Sequence, residues 1–188
     1  SYRAYSQQPS INDLQPIPDN SNPNRIQEGN PDLIPNYVHS FNSRFNTWKA
    51  LSGRYVWSGA NFMYTNNAFS NATAYDQYGR TVSKTVNVDG NFTAVLFSGA
   101  GLPILNRKIV FEPGLNASYF RFTNVISGLE NTTDNYAVTP ELTVKFNLFN
   151  DSLEIETGAS YSYNNAESSL SNVSTPYSIQ NYNAGFNW

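Results

Sequence analysis

The sequence predicts an all-β protein, an antiparallel transmembrane β-barrel of about eight long strands. Three observations lead to this fold class. Apolar and polar residues alternate with a period of two from Asn36 onward. The connections between the alternating segments are short at one end and long at the other, and aromatic residues gather at both ends. No segment shows a convincing helical period.

The composition agrees with this class and excludes several others. The chain has 188 residues, of which 39% are apolar, 15% aromatic and 13% charged, with a formal net charge of −3. The net charge is not positive, which argues against a nucleic-acid-binding surface. The high aromatic content argues against intrinsic disorder. The sequence contains no Cys, which excludes a disulfide framework and thiolate chemistry. The N-terminus has neither Met nor an apolar leader, so we expect a removed signal or a piece of a longer chain.

The N-terminal part of the chain differs from the rest. A short strand is predicted at Tyr2–Ser6, and the stretch Gln7–Pro35 carries six prolines among many Asn, Asp and Ser residues. Such a stretch can form neither a helix nor a central strand. We expect residues 1–35 to be a strand followed by a long ordered extracellular loop, and residues 36–188 to be the barrel strands. The alternative for the loop is a disordered tail.

Long alternating segments supply the remaining strands. In Tyr136–Phe149 and Ser152–Tyr163 the apolar residues share one face, and the tight turn at residues 149–152 makes the two segments a hairpin. Thr81–Ser98 alternates throughout and is predicted as one long strand. The other predicted strands are Asn36–Trp48, Arg54–Asn67, Arg107–Asn124 and Thr175–Trp188.

The connections and the aromatic residues define two ends. Short periplasmic turns opposite longer extracellular loops are typical of outer-membrane barrels, and aromatic girdles mark the two membrane interfaces. The short or moderate connections are Lys49–Gly53, Asn150-Asp151 and Gly99–Asn106, and the long polar ones are Gln7–Pro35, Val125–Asn135 and Ala166–Ser174. The aromatic residues are Tyr136, Tyr161, Tyr163 and Tyr177 at the long-loop ends, and Phe146, Phe149, Phe186 and Trp188 at the short-turn ends.

Strand length supports a membrane-spanning role. A strand of about 14 residues, rising roughly 3.3 Å per residue and tilted by about 45°, covers roughly 33 Å along the membrane normal, more than the apolar band of about 25 Å. The alternation then assigns the two faces. We expect Leu142, Val144, Ile155 and Ala159 to face lipid, and Glu141, Lys145, Glu154 and Glu156 to face the lumen.

The sequence predicts no catalytic, cofactor-binding or metal-ligating residue, and we expect that the protein is not an enzyme. The single histidine, His39, shares a face with Tyr37 and Phe41, which favours packing in an aromatic girdle, and no nucleophile elbow accompanies it. Glu154 and Glu156 lie on one side of a strand and could act as a carboxylate pair, but a polar barrel wall is favoured. No ligand-binding residue can be assigned.

A calcium loop is a further possibility within residues 19–30. Asp19–Asn24 has oxygen-bearing side chains at alternate positions, as calcium loops do. The stretch lacks Gly at its sixth position and has Pro at its fifth, so the pattern is incomplete.

Three segments together resemble a known family. They are Ile26–Tyr37 (IQEGNPDLIPNY), Tyr75–Arg80 (YDQYGR) and Val86–Phe92 (VNVDGNF), and the upstream Pro9–Pro16 fits the same pattern. With these motifs the chain resembles the barrel region of TonB-dependent-receptor-like outer-membrane proteins of Bacteroidota. One departure is Ile34-Pro35-Asn36, where the family commonly has a Pro-Glu pair.

The resemblance implies a 22-stranded barrel with a plug that contacts TonB, in the outer membrane of a Gram-negative cell. About eight strands and no plug are present, so we expect the chain to be a portion of a receptor that imports a siderophore, a glycan or a peptide. The expected partners are outer-membrane lipid, the remaining strands and plug of the same or another chain, TonB and a surface lipoprotein. No nucleic acid and no cofactor are expected.

Two alternatives stay open at this point. The last residues alternate up to the terminal Trp188, as at the natural end of an outer-membrane protein, so a self-contained eight-stranded structural or adhesive barrel is one of them. The other is a soluble β-sandwich that binds carbohydrate through Tyr, Trp and Asn. Dependence on detergent separates the sandwich from the barrels, and the length of the full gene separates the two barrels.

Overall fold

The structure, a computed structural model, describes residues 1–149, 152–171 and 173–188. The described part contains twelve strands and one helix of four residues. The elements are β1 (Tyr2–Gln7), α1 (Ile11–Leu14), β2 (Asp19–Asn22), β3 (Arg25–Glu28), β4 (Asn36–Lys49), β5 (Arg54–Asn66), β6 (Ala68–Tyr75), β7 (Thr81–Val88), β8 (Asn91–Ile104), β9 (Ile109–Ile126), β10 (Leu129–Leu148), β11 (Leu153–Ser168) and β12 (Tyr177–Asn187). The predicted all-β class is confirmed.

All twelve strands belong to one sheet, which does not close. Its antiparallel part runs in the order β1, β4, β5, β8, β9, β10, β11 and β12. Within the described residues, β1 pairs only with β4 and β12 pairs only with β11. The antiparallel part of the sheet is therefore a wall with two free edges.

The rest of the sheet is a branch at the end of the wall where the long connections lie. The hairpin β6–β7 connects β5 to β8, and β6 pairs parallel with the tip of β9, with Ala72 opposite Val125 and Thr73 opposite Ile126. On the other side, β7 pairs parallel with β3, which pairs with β2. The segment between β1 and β4 is thereby joined to the connection between β5 and β8.

The predicted number of strands, about eight, is wrong because the long connections themselves contain strands. Residues 8–35 hold α1, β2 and β3, and β3 pairs on both sides, so the expectation that this stretch forms neither a helix nor a central strand is also wrong. These elements are short enough to lie between successive prolines. The sequence does not predict β6. The β6 sequence, AFSNATAY, is mostly Ala, Ser, Asn and Thr and lacks the repeated large apolar residues on one face that mark the other long strands. The division of the chain at Pro35 into two parts stays a prediction.

The prediction of one strand over Thr81–Ser98 is also wrong. The structure has β7 and β8 there, separated by Asp89 and Gly90, and Gly90 has a φ of 86° that favours glycine. Because the interruption is two residues long, the apolar residues fall at even-numbered positions both before and after it. The apolar alternation therefore runs through the break and hides it.

The boundaries of three connections differ from the prediction. Val125–Asn135 is not a loop, because β9 and β10 continue to a two-residue turn at Ser127 and Gly128, whose φ values of 50° and 81° suit a tight hairpin. β8 continues through most of Gly99–Asn106, and β11 extends to Ser168. The predicted short turn at Asn150-Asp151 lies outside the described residues.

The pairing register gives the wall two distinct faces. Partners across neighbouring strands share a face. One face carries mostly apolar and aromatic side chains, while the other carries mostly Asn, Ser, Thr, Gly and charged residues together with some aromatic ones. Many large apolar side chains are exposed on the first face, Phe41, Leu96 and Leu142 among them. The buried apolar residues, Leu33, Val38, Ala68 and Val88, lie instead at the long-connection end, where the branch joins the wall. No helix among the described residues is long and apolar enough to cross a membrane.

Candidate functional site: the polar face of the wall and its cap

The polar face carries charged residues near the short-turn end. The register places Glu141, Lys145, Glu154 and Glu156 on this face, and Leu142, Val144, Ile155 and Ala159 on the apolar one. Glu112 of β9 lies at the centre of the charged group. One of its carboxylate oxygens accepts a 2.7 Å hydrogen bond from the Tyr55 hydroxyl, and the other lies 3.0 Å from the Lys145 ammonium. The network ties β5, β9 and β10 together across the polar face.

Aromatic side chains cover glycines on the same face. Tyr55 lies over Gly101, and Trp57 lies over Gly99, so that a Cβ at either glycine would overlap the ring. Phe97 covers Gly59 in the same way, and the Trp57 and Phe97 ring centroids are 6.0 Å apart. Aromatic rings that cover glycines on a neighbouring strand compensate for the missing side chain. Sequence reasoning missed these pairs because they depend on the register between β5 and β8.

His39 lies in the aromatic surroundings that the sequence predicts. Its Nδ1 is 2.7 Å from the Tyr2 hydroxyl, and its ring meets the Tyr37 ring edge-on with centroids 4.9 Å apart. The Asn66 amide lies 3.5 Å from Nε2. These contacts join β1, β4 and β5 at the long-connection end. The absence of enzymatic activity stays a prediction.

The structure gives the candidate calcium loop another local role. Residues 19–22 form β2, residues 25–28 form β3, and the two strands pair around Pro23 and Asn24. The Asn22 side chain accepts a 3.0 Å hydrogen bond from the backbone N–H of Asn24, which stabilises the turn. Among the described residues no group of three or more His, Asp or Glu side chains is arranged to hold a metal ion.

Two of the segments that carry the family resemblance meet each other. The Asn30 amide donates a 2.9 Å hydrogen bond to the carbonyl of Thr85. The Asn87 side chain accepts from the N–H of Ile34 at 2.9 Å and donates to the carbonyls of Ile34 and Asn67 at 2.9 and 2.8 Å. The loop before β4 is thus fastened to β7 at two points. We call residues 8–35 together with β6 and β7 the cap.

The helix in this loop makes a third attachment. Ser10 caps α1 by accepting from the Asp13 N–H, and the Thr85 hydroxyl donates a 2.7 Å hydrogen bond to the Asp13 carboxylate. Hydrogen bonds from the Ser10 and Thr85 hydroxyls hold the pKa of Asp13 below its usual value. The carboxylate is therefore charged at neutral pH and accepts both bonds. Gly29 lies directly against the Gln15 backbone that ends the helix.

The third motif closes the β6–β7 hairpin. Asp76 accepts hydrogen bonds from the N–H groups of Tyr78 and Arg80, at 2.8 and 2.9 Å, and pairs with the Arg80 guanidinium at 2.6 Å. Partial loss of hydration raises the pKa of Asp76, but the hydrogen bonds from Arg80 and Tyr78 outweigh it and lower the pKa overall. The Arg80 guanidinium also lies 5.3 Å from the centre of the Tyr78 ring.

The cap packs on the polar side of the wall. Thr73 of β6 pairs with Ile126, which lies on the same face of β9 as Glu112. The β7 residues that hold the loop, Ser83, Thr85 and Asn87, share the face of Thr73. Ser83 is buried and its hydroxyl donates to the Gln27 side chain at 2.7 Å. The side-chain contacts of residues 8–35 with β7 therefore lie on the face that continues the polar face of the wall, while β3 extends the sheet beside β7.

A family model described as the outer membrane protein beta-barrel family matches residues 1–188. The chain belongs to this family, and its location in the cell outer membrane is confirmed. The apolar face is then the lipid face, the polar face is the lumen face, and the soluble β-sandwich is no longer an alternative. No curated protein and no solved structure matches the chain.

Proposed function

We propose that the chain forms part of the barrel wall and the extracellular cap of a TonB-dependent receptor that imports a nutrient, without enzymatic activity of its own. The observation that carries this proposal is the cap on the lumen side, because it is built from the segments that resemble such receptors. Asn30 and Thr85, and Ile34 and Asn87, bring those segments together. A cap that continues the lumen face at the extracellular end of the wall suits a protein that selects what enters.

The lumen face supports a barrel wider than eight strands. An eight-stranded barrel has an interior only wide enough to be filled by its own side chains, which here include Glu112, Lys145, Glu154 and Glu156. Glu112 and Lys145 pair with each other. The other carboxylates would need matched partners in a closed interior, whereas a wide lumen hydrates them.

The free edges of the wall support the same conclusion. Ser1 and Asn42 exchange two backbone hydrogen bonds of 2.6 and 2.8 Å, so the even-numbered residues of β4 point their backbone groups toward β1. The odd-numbered residues of β1 point their backbone groups toward β4 in return, so those of Tyr2, Ala4 and Ser6 point outward, where no strand lies opposite them in the described part of the chain. Unsatisfied backbone groups in lipid cost several kcal/mol each, so further strands must pair here.

The proposed partners follow from this assignment. They are outer-membrane lipid, further barrel strands and a plug from the same or another chain, TonB through elements outside this chain, and a surface lipoprotein at the cap. Specificity depends on loop geometry and on the plug, so siderophores, glycans and peptides all remain candidate ligands.

The test of transport is nutrient uptake by cells that lack the whole gene. Wild-type cells, the deletion strain and a TonB-deficient strain are given a defined mixture of ferric siderophores, oligosaccharides and peptides, and depletion of each compound is followed by mass spectrometry. We expect one compound class to be depleted by wild-type cells and by the complemented deletion, but by neither mutant. Equal depletion of every compound by all strains would refute transport.

The test of barrel size is the behaviour of residues 1–188 alone. We expect the refolded chain in detergent to give no compact, heat-modifiable monomer on unheated electrophoresis, because both edges lack partners. The full-length protein, treated in the same way, is the positive control. A compact heat-modifiable monomer with high strand content by circular dichroism would favour the self-contained eight-stranded barrel instead.

A further inference from the structure

A pocket of about 300 Å³ lies on the lumen face, toward the extracellular end of the wall. It covers parts of two successive rows of side chains that the pairing register sets side by side. The lower row is Ser118, Ala137, Asn164 and Tyr177, on β9, β10, β11 and β12, and the upper row is Phe120, Asn135 and Ala166.

The pocket is located at the mouth of the lumen. Phe120 lies eleven residues along β9 from Ile109 at the short-turn end. With about 3.3 Å per residue and a tilt of about 45°, this distance is about 26 Å along the membrane normal, at the outer boundary of an apolar band of about 25 Å. Farther along β9, Val125 and Ile126 pair with β6 of the cap. A compound that passes the cap into the lumen therefore meets this pocket.

Large and small residues give the pocket its shape. Phe120 forms one wall and is 41% exposed, and Tyr177 forms the other wall. Ser118, Ala137 and Ala166 have short side chains, so the floor between the walls is open. The two walls stand on β9 and β12, three strand spacings or about 14 Å apart, so a ligand that touches both has more than one ring.

Two amide side chains in the pocket have hydrogen-bonding groups to offer. Asn135 has no side-chain partner among the described residues. Asn164 donates a 3.1 Å hydrogen bond to the Ser162 hydroxyl, and its side-chain oxygen receives no hydrogen bond in the described part of the chain. An amide presents donors and an acceptor side by side, which matches two neighbouring hydroxyl groups of a ligand.

The absence of charge in the pocket limits the class of ligand. No charged side chain is among the described residues that line it. A peptide with charged termini, or an anionic ferric siderophore, would lose hydration there without gaining an ion pair. A neutral sugar chain has apolar C–H faces for the aromatic rings and hydroxyl groups for the amides.

We propose that this pocket binds a neutral oligosaccharide. One sugar ring stacks on Phe120, a further ring reaches Tyr177, and hydroxyl groups of the chain form hydrogen bonds with Asn135 and Asn164. The inference rests on the proposed function, because it names the class of nutrient that enters the lumen. A further strand beside β12 would pair along the free edge of β12 and would leave the space between β9 and β12 open to the lumen.

The test measures oligosaccharide binding by the full-length protein, purified in a detergent without a sugar headgroup. The probes are neutral gluco-, manno- and galacto-oligosaccharides, with oligogalacturonate as the charged counterpart of the galactose series, and isothermal titration calorimetry measures the affinity. We expect a neutral series to bind and oligogalacturonate to bind less tightly. Phe120→Ala is expected to weaken binding about tenfold, and Asn135→Ala about fivefold.

Two residues of β9 provide matched controls on the same face. Phe122 lies opposite Thr133 and Asn116 lies opposite Thr139, and both are outside the pocket. We expect Phe122→Ala and Asn116→Ala to bind as the wild type does. Heat modifiability of each variant shows that the barrel has folded.

The outcomes separate this inference from the proposed transport. The inference is overturned if no neutral oligosaccharide binds, as when the plug covers the pocket, if oligogalacturonate binds equally well, or if Phe120→Ala and Phe122→Ala have equal effects. Binding by the purified protein does not require TonB. TonB-dependent uptake of a siderophore or a peptide without oligosaccharide binding would therefore overturn this inference alone, whereas binding without any TonB-dependent uptake would support the site and count against transport.

Discussion

Val144→Arg in the full-length protein is expected to destabilise the barrel by about 2–4 kcal/mol. Val144 lies on the lipid face of β10, opposite Phe111 on one side and Thr157 on the other. It is four residues from Leu148 at the short-turn end and therefore lies within the apolar band. An arginine there would place a charge in hydrocarbon. Urea unfolding in lipid vesicles, followed by circular dichroism, measures the loss of free energy.

Two lumen-face variants serve as controls for this prediction. Thr143→Arg puts the same charge at the same depth on the opposite face, beside Glu112 and near Glu141, where it is hydrated and meets carboxylates. Glu154→Gln removes a charge whose hydrogen-bond partner is the Asn187 amide at 3.3 Å. We expect both to be nearly neutral. Equal costs for arginine at positions 143 and 144 would contradict the assignment of the faces.

The two faces of the wall could be predicted because they depend on local sequence alone. A period of two sorts side chains to opposite faces in whatever register the strands pair. Glu141 and Leu142 are adjacent in sequence, and the alternation assigns them to opposite faces without any information about the turns. The same reasoning failed in β6, where Ser70, Ala72 and Ala74 replace the apolar residues of a lipid-facing strand.

The contacts between distant segments could not be predicted in the same way. The hydrogen bond from Asn30 to Thr85 joins residues that are 55 positions apart, and the sequence of neither segment indicates that it contacts the other. Trp57 covers Gly99 only because of the register set by the connection between β5 and β8. The turn at Gly90 could not be predicted, because the strands on both sides of it keep the alternation in phase.

The motifs of the cap could be recognised in the sequence, but the contacts between them could not be predicted from it. Six prolines in Gln7–Pro35 predicted a loop with little conformational freedom to lose. The structure adds what holds it: Asp13 and Asn30 against Thr85, and Ile34 against Asn87. The loop is thus attached to β7 along the length of that strand. Because the loop is held by several close contacts, we expect that one added atom at such a contact can displace the whole loop.

Gly29→Ala is expected to detach the cap loop from the helix that precedes it. A Cβ on Gly29 would overlap the carbonyl carbon and oxygen of Gln15, and a backbone group cannot move aside as a flexible side chain can. Gln15 is further fixed by its own hydrogen bond to Ile11 at 3.1 Å. Overpacking of this kind costs about 1–3 kcal/mol, which the loop avoids by opening.

Trypsin cleavage in intact outer membranes measures this opening, because Arg25 is the one Lys or Arg between Gln7 and Pro35. When opening is fast, cleavage follows the population of the open state, so a cost of about 1.4–2.8 kcal/mol means cleavage about 10–100-fold faster. Gln15→Ala is the control, since it trims the exposed side chain and leaves the backbone that Gly29 touches. Rapid cleavage of the wild type would refute an ordered cap, and equal rates for Gly29→Ala and Gln15→Ala would show that the close approach of Gly29 does not hold the loop in place.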